Sequence, residues 1–281
     1  MNSEKIINLS LPYPNIGNRT IRVYIPSHED GETFPVIYMT DGQSIFDEET
    51  ATFGSWHVID AIRDEQKNSG KSAIIVGIHN DLGPLQRANE LTPKEIATFY
   101  FPDSVPEEIK RSLAPEGEIF NSFIIHTVMP AIESQFPVKT GRGNTAFCGS
   151  SSGGLFSFYT ALRCPDKYCA AGVFSPCFML YEKKSMADWI HSKMQNEMPY
   201  LYLYSGAADE LEHHICESTE WTYDILKDCY PTHLLKKVIK KEQAHIESAW
   251  EPVFSNNVTD FLSSTITFLI YSALNIFSAS F

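Results

Sequence analysis

The sequence predicts an α/β fold, in which a mostly parallel central sheet carries helices on both faces. Short apolar runs, typical of strands buried on both faces, alternate with longer segments of helical spacing from about residue 35 onward. No internal repeat interrupts this alternation. With 281 residues, 43% of them hydrophobic, the chain is long enough to bury the core of one large domain.

The predicted strands are apolar runs that end at turn-forming residues. The first two flank a turn at residues 14–17, and the later ones are short and almost continuously apolar. The predicted strands are residues 6–11, 20–26, 35–40, 72–78, 144–147, 170–175, 200–204 and 233–240.

The predicted helices carry apolar residues three and four positions apart. In the first of them, Ser55 is the predicted N-cap and Gly70 the terminator. Pro130 predicts a bend in the second, because proline cannot donate the backbone hydrogen bond of a helix interior. The predicted helices are residues 56–66, 118–136, 152–162, 181–195, 217–229 and a last one from 246 onward.

Residues 80–116 interrupt the alternation. They contain five prolines and a charged patch, and they are too long for an ordinary connection. We interpret them as a lid-like excursion above the sheet, with one short helix, that borders a substrate site.

The C-terminal segment is unusual because residues 261–281 contain no charged side chain. It is long enough to span a bilayer but rich in serine and threonine. A final amphipathic helix with a tail packed on the domain is therefore favoured over a membrane anchor. The predicted organisation is one domain over residues 1–262, followed by a tail over 263–281.

The net charge and the cysteines indicate which binding partners and which cellular compartment to expect. A net charge of −13 argues against nucleic acid, anionic membranes and highly anionic substrates. The six cysteines show no Cys-x-x-Cys spacing, so we expect no zinc site. The N-terminus lacks the pattern of a signal peptide. A reducing, cytoplasmic location is expected, with anchoring through the C-terminal tail as the alternative.

The segment Gly149-Ser-Ser-Ser-Gly153 indicates a nucleophile. It lies between a predicted strand and a predicted helix, which is the context of the Gly-x-Ser-x-Gly elbow of α/β hydrolases. The two glycines permit a tight turn that exposes the hydroxyl of Ser151. A Ser/Gly run is often only a loop, but suitable partner residues follow downstream in the order that this fold requires.

A serine nucleophile needs a base, and the base needs an acid that orients it. Asp209 follows the strand at 200–204 and is the predicted acid, with the adjacent Glu210 as the alternative. His245 follows the last strand and is the predicted base. His79 precedes the serine and is in the wrong order. The adjacent pair His213 and His214 is expected to face solvent rather than bind a metal.

Two backbone amides are predicted to stabilise the oxyanion of acyl transfer. One is the amide of Ser152, directly after the nucleophile. The other is the amide of Gln43, in the turn after the strand at residues 35–40.

Several motifs, in the same order along the chain, resemble those of esterases of the esterase D type within the α/β hydrolases. The resemblance runs from about residue 35 to 262. The family includes enterochelin-esterase-like proteins, feruloyl and acetyl esterases, and antigen 85-like acyltransferases. The similar segments are Val36–Asp47 (V-L-Y-x-x-D-G-Q-x-x-F-D), Val76–Pro93 (V-G-I-x-N … R-x-x-E-x-x-P), Gly149–Leu155 (G-S-S-M-G-G-L), Gly206–Asp209 (G-x-x-D/E) and His245–Trp250 (H-x-E-x-x-W).

The resemblance implies a carboxylic ester hydrolase that forms an acyl-enzyme on a small, sugar or siderophore ester and needs no cofactor or metal. Arg87 and Glu90 match the family's Arg and Glu, either as substrate-binding residues or as a structural ion pair, and Trp56 is a further candidate for substrate contact. Ser152 stands where the family usually has Met, and Thr40 where it often has His, so substrate preference is expected to differ.

Two alternatives remain open at this point. Antigen 85-like members of the family transfer the acyl group to an alcohol instead of water. A non-catalytic α/β-hydrolase scaffold that binds an ester or a partner protein is the alternative outside enzymes. The sequence gives no prediction of the oligomeric state.

Overall fold

The computed structural model describes residues 2–14, 17–49, 51, 54–80, 83–99 and 107–278, with side chains as far as Ser263 except at 108 and 109. Within these residues, one sheet of eight strands forms the centre of the molecule. The strands are β1 (Lys5–Tyr13), β2 (Gly17–Ile25), β3 (Val36–Met39), β4 (Ile74–Ile78), β5 (Thr145–Ser150), β6 (Ala170–Phe174), β7 (Tyr200–Ser205) and β8 (Leu235–Ile239).

The strand order is β1-β2-β4-β3-β5-β6-β7-β8. The six strands from β3 to β8 are mutually parallel, and β1 and β2 form an antiparallel hairpin that joins this sheet at β4. The central strands are buried along their whole length, whereas β1 alternates between exposed and half-buried residues. This pattern is expected of an edge strand and of strands covered on both faces.

Helices cover both faces of the sheet. Helices α1 and α9 pack on one face, and α4 to α8 pack on the other. The helices are α1 (Val58–Ser69), α2 (Pro84–Leu91), α3 (Glu107–Ser112), α4 (Gly117–Phe123), α5 (Met129–Gln135), α6 (Ser152–Arg163), α7 (Lys183–Ser192), α8 (Glu210–Cys229) and α9 (Glu247–Ser278). The predicted α/β-hydrolase architecture is confirmed.

The ends of two helices differ from the prediction. Helix α1 starts after His57, which adopts a left-handed conformation at φ 45°, and not after Ser55. Its predicted terminator, Gly70, is the C-cap at φ 73°. Helix α8 starts seven residues before the predicted 217, because the carboxylate of Asp209 caps it by accepting from the amide of Glu212.

The long helix predicted at residues 118–136 has an irregular middle. Helices α4 and α5 are joined by a π-helical turn over residues 124–128, directly before Pro130. Because Pro130 has no N–H to donate, a wider turn at this point is the expected adjustment. The irregular turn lies directly before the proline, and the bend itself stays a prediction.

The excursion at residues 80–116 contains two short helices, α2 and α3, where one was predicted. Residues 81–82 and 100–106 lie outside the described part of the chain. The other described residues of the excursion are tied to the domain by the isolated bridge between Phe99 and Tyr181 and by the Tyr181 hydroxyl, which donates to the carbonyl of Pro93 at 2.5 Å.

The last helix continues without a break through residue 262, where the predicted tail begins. Leu262 is buried, and the predicted packing of residues 264–281 lies outside the described side chains. The division into a domain and a tail therefore stays a prediction. Among the described residues, no helix combines the length and hydropathy needed to cross a bilayer.

Candidate active site

Ser151 lies in the turn between β5 and α6, at the carboxyl edge of the parallel strands. Its backbone has φ 59° and ψ −125°, a strained conformation for a residue other than glycine. The turn is held in place because the amide of Ser151 donates to the carbonyl of Phe174 at 2.9 Å, and its carbonyl accepts from the amide of Leu155 at 3.0 Å. The geometry is that of the elbow predicted from the sequence.

The two glycines of the elbow leave room for a neighbouring side chain. A Cβ atom at Gly149 would lie 2.5 Å from Thr40 Oγ1, and one at Gly153 would lie 2.2 Å from the same atom. Thr40 ends the segment of β3 next to the elbow and is buried. Its side chain therefore fills the space that the glycines leave open.

We expect Gly153→Ala to lower the free energy of unfolding by about 1–3 kcal/mol, because the new methyl group overlaps with the Thr40 hydroxyl. Thermal or urea unfolding of the purified variant measures this change. In a double-mutant cycle, Thr40→Gly should reduce the cost of Gly153→Ala. Equal stability of Gly153→Ala and the wild type would contradict this account of the elbow.

His245 is oriented by a buried glutamate. The Nδ1 atom of His245 lies 2.9 Å from Glu212 Oε1, and the Glu212 side chain is 0% exposed. The second oxygen of Glu212 accepts from the amide of Gly206 at 3.0 Å and from the hydroxyl of Ser205 at 3.1 Å. With both oxygens engaged, the carboxylate is fixed and can accept a hydrogen bond from Nδ1–H of the imidazole.

Asp209, the predicted acid, contacts backbone groups instead of the imidazole. Its two oxygens accept from the amide of Glu212 at 2.8 Å and from the amide of His245 at 2.7 Å. Partial burial raises the pKa of Asp209, but these two N–H donors outweigh it and hold the pKa below its ordinary value. The structure thus differs from the prediction: Asp209 holds the loop of His245, and Glu212 meets its ring. The alternative acid, Glu210, is exposed at the start of α8.

Trp250 packs against the other side of the histidine. The two rings meet edge to face, with centroids 5.1 Å apart and planes at 87°. The indole N–H of Trp250 donates to the hydroxyl of Ser175 at 2.9 Å, which fixes the orientation of the indole. His245 is therefore held between a carboxylate and an aromatic wall.

The Ser151 hydroxyl lies 3.5 Å from the sulfur of Cys177. Burial raises the pKa of the Cys177 thiol, so this sulfur is neutral at physiological pH and does not compete as a nucleophile. Within the described residues, no hydrogen bond joins Ser151 to the His245 ring. Such bonds often form only when a substrate is bound.

A cavity of about 540 Å³ opens beside these residues. Its walls combine two tryptophans, two carboxylates and other polar side chains. The lining residues used below are Asp41, Gln43, Asn80, Arg87, Ser151, His245, Glu247, Trp56 and Trp250. Burial, together with the nearby carboxylate of Asp41, raises the pKa of Glu247.

The turn from Asp41 to Ser44, which we call the oxyanion turn, borders the cavity on the side of β3. Its predicted donor, Gln43, lines the cavity, while Ser152 begins α6, where backbone N–H groups have no partner within the helix. A Cβ atom at Gly42 would lie 2.5 Å from the carbonyl carbon of Gly77, so the turn packs directly on β4. The two predicted oxyanion amides thus belong to the turn and the helix that flank Ser151.

Arg87 lines the cavity and forms a bidentate ion pair with Asp41. Its Nε and Nη2 atoms lie 2.5 Å and 2.7 Å from the two carboxylate oxygens. Burial lowers the pKa of Arg87, but the Asp41 carboxylate raises it further, and the net shift is upward. This guanidinium therefore carries its charge at every accessible pH.

The other two predicted substrate residues differ from each other. Trp56 lines the cavity and packs against Trp250, with ring centroids 5.5 Å apart and planes tilted by 37°. Glu90 is 0% exposed and does not line the cavity. It pairs with Arg19 rather than with Arg87, so a direct substrate contact by Glu90 disagrees with the structure.

The described residues contain no group of three or more His, Cys, Asp and Glu side chains arranged to hold a metal ion. His213 and His214 are exposed on α8. The residues around Ser151 can instead supply a nucleophile, a base, an acid and hydrogen-bond donors, which is the set needed for acyl transfer.

Comparison with known families identifies the family of the chain. Residues 16–195 match the family model described as "Putative esterase". The chain belongs to this esterase family. It is a carboxylic ester hydrolase with the α/β-hydrolase fold.

Two curated proteins are similar in sequence to this esterase. An uncharacterised protein of Bacillus subtilis is 23% identical over 227 residues, which cover 78% of this chain and 82% of that protein. A siderophore triacetylfusarinine C esterase of Aspergillus fumigatus is 28% identical over 188 residues. That match covers 60% of this chain and 56% of the fungal enzyme, so the esterase spans little more than half of it.

Solved structures share the fold. A ferulic acid esterase aligns with a TM-score of 0.67 at 15% identity, covering 94% of this chain and all of that one (100%). The siderophore hydrolase EstB of Aspergillus nidulans aligns at 0.64 and 21% identity, covering 91% and 94% of the two chains. The BES protein of Bacillus cereus aligns at 0.68 and 19% identity, with the same coverage of 91% and 94%.

Sequence reasoning missed Glu212 as the partner of His245. A signal was present in the esterase sequence, since Asp209 and Glu212 are three residues apart. That spacing marks a helix N-terminus, where a glutamate at the third position points back over the cap. Cys177 and Asn80 were also missed as residues of the site. Asn80 is the asparagine of the V-G-I-x-N motif, which was a signal for it, whereas nothing in the local sequence distinguishes Cys177 from an ordinary buried residue.

Proposed function

We propose that Ser151, His245 and Glu212 form the catalytic triad of this esterase. Ser151 attacks the ester carbonyl, and Nε2 of His245 takes the hydroxyl proton. The Glu212 carboxylate accepts a hydrogen bond from Nδ1–H of the ring and stabilises the imidazolium that forms when Nε2 takes the proton. The His245 proton then passes to the leaving alcohol, and water releases the acyl group by the same steps in reverse.

The amides of Gln43 and Ser152 donate to the oxyanion that forms at the carbonyl oxygen in both halves of the reaction. One observation above all supports this mechanism. The strained elbow presents Ser151 in the same cavity as a histidine whose other ring nitrogen is bound to a fully buried, fully engaged carboxylate.

The proposed substrates are esters of siderophores or of plant-type sugars, as in the curated fungal relative and the structural neighbours. The cavity supports a polar ester with apolar groups, because two tryptophans and several hydrogen-bonding side chains line it. Among the described residues, Arg87 keeps Nη1 for a substrate oxygen, since Asp41 takes up Nε and Nη2. The excursion contributes to this site through Gly83, Pro84 and Arg87.

The six cysteines are free thiols, in support of a reducing, cytoplasmic location.

A fluorophosphonate probe tests the proposal directly. We expect stoichiometric labelling of the native protein at Ser151, located by peptide mapping, together with hydrolysis of p-nitrophenyl acetate. A panel of feruloyl sugars, acetyl sugars, hydroxamate siderophore esters and catecholate siderophore esters then identifies the substrate class by kcat/KM. Absence of both labelling and hydrolysis would favour a non-catalytic scaffold, and release of a transesterified product in the presence of an alcohol would favour acyl transfer.

A further inference from the structure

Three buried polar residues lie directly behind the oxyanion turn. Arg19 is 2% exposed, Glu90 is 0% exposed and Asn80 is 4% exposed. Burying a charged pair is costly unless each partner is fully hydrogen-bonded, and replacing such a pair by apolar side chains is often neutral for stability. A contribution to folding stability therefore does not explain why these three polar residues are buried behind the turn.

The group is anchored at Arg19. One end of the guanidinium donates to Glu90 Oε1, and Nη1 donates to the carbonyl of His79 at 2.8 Å. The same guanidinium lies over the ring of Tyr13, 4.4 Å from its centroid. These contacts fix the side chain of Glu90, which belongs to α2, beside the end of β4.

Glu90 dictates the orientation of Asn80. Its second oxygen, Oε2, accepts from Asn80 Nδ2 at 2.9 Å. Because an ionised carboxylate can only accept hydrogen bonds, the Asn80 amide nitrogen must face it. The amide oxygen then faces the opposite way, where it accepts from the backbone amide of Asp41 at 3.2 Å.

Asn80 holds the oxyanion turn at a second point. Its own backbone amide donates to Gln43 Oε1 at 3.1 Å. The turn needs such support, because Asp41 has φ 55°, in the left-handed region that costs free energy for residues other than glycine. Asn80 and Arg87 thus bind Asp41 from two sides, and Asn80 also binds the side chain of Gln43.

We infer that Glu90, acting through Asn80, is a positioning residue that keeps the Gln43 amide aimed at the oxyanion. The inference rests on the proposed function, since it presumes that Gln43 donates to the transition state. Glu90 does not touch the substrate. Its effect is confined to the step in which negative charge develops, because the turn contributes little to ground-state binding.

The variant Glu90→Gln tests this role with almost no change in volume. A glutamine can donate as well as accept, so it no longer forces the Asn80 amide into one orientation. Loss of a whole oxyanion donor costs about 10²–10³ in kcat, so misplacement of one should cost roughly 10–100-fold. We expect kcat to fall by that factor while KM changes by less than about twofold.

Binding of an inhibitor that mimics the oxyanion provides a second readout. A trifluoromethyl ketone adds Ser151 at its carbonyl and forms a stable tetrahedral oxyanion. Its inhibition constant should rise by about the same factor as kcat/KM falls, because both report transition-state stabilisation. A merely structural role of Glu90 would lower Tm without this parallel.

Glu65→Gln is the matched control. Glu65 is also a buried carboxylate, bonded to the hydroxyls of Ser69 and Thr259 on the far side of the sheet from Glu90. Its loss should lower Tm and leave kcat and the inhibition constant unchanged. Asn80→Ala removes the acceptor of the Asp41 amide and should lower kcat at least as much as Glu90→Gln. If Glu90→Gln does not fold, Asn80→Ala is the variant that tests the support of the turn.

Two outcomes would overturn the inference, and they are distinguishable. Wild-type-like kcat and inhibitor binding in Glu90→Gln and Asn80→Ala, with lower Tm alone, would reduce the group to a structural role while leaving the triad in place. A wild-type protein that neither hydrolyses esters nor reacts with the fluorophosphonate probe would remove the proposed function, and this inference with it.

Discussion

Ser151→Ala is expected to lower kcat/KM for ester hydrolysis by at least about 10³-fold while leaving the fold intact. The hydroxyl is the only group that the proposed mechanism uses to form the acyl-enzyme. Its removal leaves the oxyanion amides and the cavity, which together account for the residual rate that triad-deleted enzymes retain. Initial rates on p-nitrophenyl acetate, with far-UV circular dichroism and Tm as checks of folding, measure the effect.

The double variant Ser151→Ala, His245→Ala provides the control for this prediction. Residues that act as a unit have non-additive effects, so the double variant should be about as slow as either single variant. Near-native activity of pure Ser151→Ala would remove Ser151 as the nucleophile. Additive losses would show that His245 acts in a different step from the serine.

Glu212→Gln is expected to lower kcat by about 10²–10⁴-fold. The glutamine amide can donate to Nδ1 of His245, which would place the ring proton on Nε2, where the base must be free to accept one. Asp209→Asn should cost less than about tenfold in kcat, since Asp209 meets only backbone amides and asparagine is itself a good N-cap. Steady-state kinetics of the two variants, with Tm for each, measure this contrast.

Comparing Glu212→Gln with Asp209→Asn distinguishes which of the two carboxylates acts on the His245 ring. A larger loss in Asp209→Asn than in Glu212→Gln would return the role of acid to Asp209 and require the loop of His245 to rearrange in the working enzyme. Glu210→Gln, an exposed change next to both, serves as the reference with no expected effect on kcat.

The sequence by itself determined the order and type of most elements. The continuous apolar runs of the central strands are typical of strands that are buried on both faces of a sheet. Because a helix lies between each of these strands and the next, adjacent strands are expected to be parallel. The elbow was equally readable, because a serine flanked by glycines between a strand and a helix has a local geometry that depends on few distant residues. The place of His245 in that order predicted it as the base, and the structure places it in the same cavity as Ser151.

The carboxylate that contacts the His245 ring was not readable from the sequence in the same way. Whether Asp209 or Glu212 meets His245 depends on where α8 begins, and the prediction placed that start seven residues too late, at 217 instead of 210. The true start turns Asp209 into a cap and brings Glu212 under the imidazole. Helix boundaries depend on capping contacts, such as the bond from His245 to Asp209, that join residues far apart in sequence.

The partners of Arg87 and Glu90 were likewise decided by tertiary structure. The two residues are three positions apart on one helix, a spacing at which side chains can pair, and the sequence allowed an ion pair between them. Packing of α2 against α4 and α6 instead directs Arg87 to Asp41 in the cavity and Glu90 to Arg19 in the interior. The energy of an ion pair depends on the distance between its two charges. The sequence determines which charged side chains exist, and the fold determines which of them come close enough to pair.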